Sequence, residues 1–119
     1  MELLIEDAKR LEEIKNEFSG RYPFLKLEFF HHRHSEGKGS PKSDMVEGDP
    51  TLGEIRRKHN EGGLTIAEHM PVGELETAFE EKYGIHIQVF RKSGDLWLET
   101  STTDSWTLKE QNDTGADMA

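Results

Sequence analysis

The sequence predicts an α+β fold in which two helix-strand-strand units build a four-stranded, largely antiparallel sheet with both helices on one face. Three observations lead there. Apolar residues recur at helical spacing twice, in Leu4, Ala8, Leu11, Ile14 and Phe18 and again in Val72, Leu75, Phe79 and Tyr83. Strict alternation marks "FLKLEFFH", "IHIQVF" and "LWLET" as strands. The order of these patterns is helix, strand, strand, helix, strand, strand.

In the first helix Glu6, Lys9, Arg10, Glu12, Glu13 and Lys15 turn mostly outward, Ser19-Gly20 ends it, and Pro23 stops it from resuming. Leu25, Leu27 and Phe29 then alternate with Lys26 and Glu28, a strand with one buried face. From Ser35 to Pro50 there is no apolar periodicity, and Gly37, Gly39, Pro41, Gly48 and Pro50 interrupt the chain, so a long mobile loop is expected at 35–50. Thr51-Leu-Gly-Glu54 reads as a capping box opening a short helix to about Asn60, ended near Gly62-Gly63, although its thin apolar face of Leu52 and Ile55 also suits a strand. "LTIAEHM" supplies a short second strand, and Pro71 opens the second main helix, which Gly84 closes with a left-handed cap. A two-residue Ser93-Gly94 turn would pair Lys92 with Asp95, Arg91 with Leu96, Phe90 with Trp97 and Val89 with Leu98, so that opposite charges meet beside the turn, aromatics on one face and aliphatics on the other.

The halves echo each other, since "LEEIKNEFSGRYPFLKLEFF" and "LETAFEEKYGIHIQVF" both carry Leu-Glu, a helical Phe, a late Tyr and a strand. Two such units arrange naturally as a circularly permuted ferredoxin-like sheet. The expected organisation is one α+β domain over residues 1–108 and a flexible polar tail over 109–119. The stretch "VGELETAFEEKYGIHIQVFRKSGDLWLET" with "TDSWTLKEQN" resembles small bacterial proteins of unknown function; the likeness covers the C-terminal half and implies no functional residue.

Composition narrows the function classes. Of 119 residues, 33% are hydrophobic and 33% charged, mean hydropathy is −0.79 and the net charge is −9. No apolar run nears the roughly 20 residues of a membrane span and no leader is visible, so a cytoplasmic protein without membrane contact is expected. Without cysteine there is no disulfide, thiolate nucleophile or Cys-ligated zinc. The acidic balance disfavours nucleic acid. The charge is uneven, however. Arg21, Lys26, Arg33, Lys38 and Lys42 oppose only Glu28 and Glu36, and "RRKH" follows at Arg56–His59, a basic region that suits either a solvated loop or an acidic partner.

Three histidines within four residues, His31, His32 and His34, form the candidate metal cluster. A His-x-His pair offers two ligands, and a catalytic zinc needs a third, from His59, His69 or Glu36. The alternative is a strand end leaving the core at Phe30 with solvated polar residues. "EGKGSPKSD" lacks the glycine spacing and following helix of a phosphate loop, and "DTG" at Asp113–Gly115 matches an aspartic-protease signature in letters only. Adjacent carboxylates such as Glu12-Glu13 do not face each other on a helix. "TSTTDSW" has no histidine placed to activate a hydroxyl.

The remaining candidate is aromatic. With Ile87, Val89 and Leu98 toward the helices, Phe90 and Trp97 face away, joined by Phe30, and the segment around Trp106 and Leu108 could cover them. Covered from within, paired in a homodimer or turned to a partner, this open sheet face supplies the interaction residues Phe30, Phe90, Trp97 and Trp106. Two functions follow: a non-enzymatic protein-interaction module using that face or the basic loop from His31 to Lys58, needing no cofactor, or a metal-binding protein or metal-dependent enzyme centred on the histidines.

Overall fold

The computed structural model describes residues 1–33 and 38–119. Its elements in chain order are β1 (Glu2–Ile5), α1 (Leu11–Arg21), β2 (Leu25–Phe30), α2 (Leu52–Ile55), β3 (Gly62–Thr65), α3 (Val72–Tyr83), β4 (His86–Ser93), β5 (Leu96–Glu99) and α4 (Leu108–Met118). The α+β class holds. The finer expectation of one four-stranded, ferredoxin-like sheet gives way to two antiparallel sheets, β1-β3 and β2-β4-β5.

The difference begins at the N-terminus. Leu3 and Ile5 are fully buried while Leu4 is 54% exposed, a period of two rather than 3.6. The residues expected to open the first helix therefore form β1, which pairs Leu3 with Leu64 and Ile5 with Gly62. The helix itself starts at Leu11 and buries Leu11, Ile14 and Phe18. Thr51 and Glu54 do form a capping box, with the Thr51 N–H donating to Glu54 Oε2 at 2.8 Å, but the helix behind it is a single turn.

α3 matches its stripe: Val72, Leu75, Phe79 and Tyr83 are all buried. Gly84 ends it at φ 64°, ψ 31°, a left-handed conformation that costs glycine nothing, and the Gly84 N–H donates to the Glu80 carbonyl at 2.9 Å, the bond of an αL cap. In the three-stranded sheet Leu27 faces Val89 and Phe29 faces Ile87, and these join the helical residues in one continuous core.

The β4–β5 hairpin exists, with its turn moved by one residue to Gly94-Asp95. Phe90 consequently opposes Glu99, Lys92 opposes Trp97, and Arg91 opposes Leu98. Facing is unchanged by a two-residue slip in pairing. Leu98, expected in the core, is 41% exposed because the sheet ends beside it.

Two loop expectations also change. The stretch over 109–119, expected as a flexible tail, is helix α4, opened by a second capping box in which the Glu110 N–H donates to Thr107 Oγ1. It packs on the sheet through Gly115, where a Cβ would stand 2.8 Å from the Phe24 Cβ. Within 35–50, the described part runs back beside β2: His31 N–H donates to the Asp44 carbonyl, Val46 N–H donates to the Phe29 carbonyl, and Val46 is buried.

Candidate functional site

The four aromatic candidates do not form one face. Phe30 is only 3% exposed, covered where the chain returns at Met45. Phe90 and Trp97 share a face and are half-buried, with Lys26 Nζ 5.4 Å from the Phe90 ring centre and 5.1 Å from that of Trp97. Lys92 sits 5.2 Å from the Trp97 ring. The protein's own cations thus cap these rings. Trp106 lies on the other side, under Arg91 at 5.7 Å, since Arg91 and Phe90 alternate across the strand. Leu108 is in the core.

The histidines separate as well. His31 and His32 are exposed just beyond β2, and His34 lies outside the described residues. His32 is committed to Asp44, with Nδ1 2.6 Å from Oδ1 and its N–H donating to Oδ2 at 2.9 Å. Among the described residues no group of three or more His, Asp or Glu could hold a metal ion.

What the fold does assemble is a basic cavity of about 380 Å³. His31, His32 and Arg33 come from the end of β2, Ile55 to Lys58 from the end of α2, and Gly84 and His86 from the α3–β4 junction. Among the described residues no carboxylate lines it. The distribution of counter-charge decides its field. The side chain of Arg56 is fully buried, bonded through Nε and Nη2 to Asp7 Oδ1 at 3.0 and 2.7 Å, and through Nη1 to the Tyr83 carbonyl. Arg33 pairs with Glu80 at 3.2 Å. Arg57 has no hydrogen bond or ion pair among the described residues, and Lys58 Nζ meets only the Glu81 carbonyl. Among the described residues, two of these four permanent cations therefore remain without a carboxylate. His86 adds a buried Nδ1 with no hydrogen-bond partner, its nearest carboxylate oxygen being 3.8 Å away on Glu80.

Asp7 is the brace behind this wall. Its second oxygen takes His59 Nδ1 at 2.8 Å, and its own N–H donates to Glu61. The hydrogen bond from the Arg56 guanidinium holds the Asp7 carboxyl below its ordinary pKa; burial opposes it, and the His59 hydrogen bond adds to the lowering. Asp44 is lowered too, chiefly by its hydrogen bond with His32. Two imidazoles are thus oriented by carboxylates, an arrangement that acid–base or metal chemistry can use. Among the described residues, however, no hydroxyl hydrogen-bonds to either ring, and the chain has no cysteine. Binding of an anionic group is what this geometry can do directly.

The sequence displayed the basic residues but not their convergence. "RRKH" and "HHRH" are 22 residues apart, and the Asp7 brace comes from a stretch expected to be helical. No family model, curated protein or solved structure matches this chain.

Proposed function

We propose that this protein is a non-enzymatic interaction module that receives an acidic segment of a protein partner in the basic cavity. One observation carries the reading: a wall of Arg33, Arg56, Arg57, Lys58 and three histidines, with no carboxylate among its described lining residues, on a chain of net charge −9. A net-acidic protein repels polyanions at long range, so a local basic wall selects short acidic stretches that fit it rather than long phosphate backbones. Arg57 and Lys58 supply the attraction, and Arg56, fixed by Asp7, supplies a rigid floor.

Fluorescence anisotropy with a labelled Glu/Asp-rich peptide tests the reading. Binding should weaken as salt rises and fall about tenfold or more in Arg57→Glu/Lys58→Glu, equivalent to about 1.4 kcal/mol. Equal binding by the double variant would overturn the site. Tighter binding of a single-stranded oligonucleotide than of the peptide would overturn the partner class.

A further inference from the structure

We infer that the free edge of β5 is a dimerisation edge that pairs with β5 of a second copy, setting Leu98 against its own symmetry mate. β5 ends the sheet order β2-β4-β5, so its outer side has no strand neighbour among the described residues. Thr100 N–H donates to the Val89 carbonyl, and hydrogen-bonded pairs recur at every second residue of an antiparallel ladder. Arg91–Leu98 and Ser93–Leu96 are therefore the bonded pairs toward β4, and the N–H and C=O groups of Trp97 and Glu99 point outward. An exposed edge of this kind is a template for another strand.

The side chains decide which strand. Leu96 is 66% exposed and Leu98 is 41% exposed, on the face away from Trp97. Met118, also exposed, stands beside them, its carbonyl accepting the Gly94 N–H, and Trp106 covers the neighbouring Arg91. Four of the five exposed large apolar residues thus collect at one end of one hairpin.

Of the symmetric antiparallel registers that keep like faces together, those centred on Trp97 and on Leu98 overlap the most of β5. Centring on Trp97 gives one bonded pair and sets Asp95 opposite Glu99 of the second copy, like against like. Centring on Leu98 gives two bonded pairs, Trp97 with Glu99 in each direction, and closes Leu98 on Leu98 at the narrow, non-bonded spacing where side chains touch best. It also brings Glu99, whose carboxylate already accepts the Ser40 N–H of its own chain, to the side of the other copy where Lys26 and Lys92 surround Trp97. Hydrogen bonding, apolar contact and charge all select the second register, which makes the occupant a second copy.

Sedimentation equilibrium across the micromolar to millimolar range tests this. The mass should rise from one chain to two. Leu98→Lys and Leu98→Glu should each remain single chains, because each puts like charges face to face, and an equimolar mixture of the two should recover the pair. Both substitutions fall at a partly exposed position, and circular dichroism verifies folding. Should either unfold, Leu96→Lys blocks the same edge from a more exposed position. A wild type of one-chain mass throughout, variants that still pair, or a mixture that stays monomeric would each overturn the proposal.

Discussion

Two regions of opposite charge lie on either side of the Arg33–Glu80 ion pair, and they are built differently. The acidic side is a groove of about 490 Å³ whose carboxylates are Glu74, Glu76 and Glu80 of α3 together with Asp104. Three of these come from one helix, where the four-residue spacing sets Glu76 beside Glu80 by local geometry alone. The basic side draws on three separate segments, and its central guanidinium is buried and braced by Asp7, 49 residues away. One helix supplies most of the acid of the groove, with Asp104 added across it, whereas the basic cavity exists only once the β1–α1 connection, the end of α2 and the start of β4 have met.

The sharpest way to break this comparison is to remove what both regions share. Phe79 is fully buried on α3, which carries the acidic groove on one side and leads into the cavity at Gly84 on the other. Phe79→Ala should cost about 3–5 kcal/mol in chemical denaturation. A loss under about 1 kcal/mol would mean that α3 is not seated as described.

Next in size, Arg56→Ala should destabilise by about 1.5–3 kcal/mol, through its charge-assisted hydrogen bonds and the Tyr83 carbonyl left behind. Amide shifts should move at Asp7, Tyr83 and Gly84 and stay put from Glu74 to Glu76. Movement on both sides would show that the regions are one coupled unit.

Acid separates the two braces more gently. Asp7 and Asp44 both have carboxyls below the ordinary value of 3.8. A lowered folded-state pKa contributes stability that is complete above the ordinary value and is lost as pH falls through the folded one. The contribution of these pairs should therefore be intact at neutral pH and disappear only below about pH 4. Carboxyl NMR titrations should show both midpoints low, and His32→Ala should restore Asp44 alone.

The smallest expected effect on stability belongs to Arg57→Glu, within about 0.5 kcal/mol for an exposed position. Its effect on binding of an acidic peptide should nonetheless be large, while Glu74→Gln across the ion pair should leave binding unchanged. Equal effects from both would erase the functional distinction between the regions.

Several of these features were legible beforehand. The stripe of α3 with Gly84 behind it, the strands around Leu27 and Val89, and the capping box at Thr51 all depend on neighbours within a turn or two. The helix at 108–118 carries a local signal too, since Thr107-Leu-Lys-Glu110 repeats the Thr51-Leu-Gly-Glu54 pattern, but the polar composition that follows resembles a tail until Leu108, Gln111 and Gly115 share a buried face. The register of the hairpin was not legible, because either of two overlapping dipeptides can make the turn, and the difference moves Leu98 from beside Val89 to beside Arg91.

The candidate site was legible only as parts. His31, His32, Arg33 and "RRKH" stood out as charge, yet nothing local joins them, and the aromatic face expected from alternation is capped by Lys26 and Lys92 or hidden under Met45. Alternation says which side a residue takes but not what lies over it.

By itself the sequence determined the α+β class, the core stripe of α3, the central strands and the excess of acid over base, because periodicity, caps and composition act through neighbouring residues. The tertiary structure alone decided that Glu2–Ile5 is a strand, that the sheets number two, that Phe30 is buried and that the basic residues share one cavity. Each of those outcomes depends on a partner dozens of residues away, and the free energy of such contacts comes from burial and pairing that exist only after the chain has closed on itself.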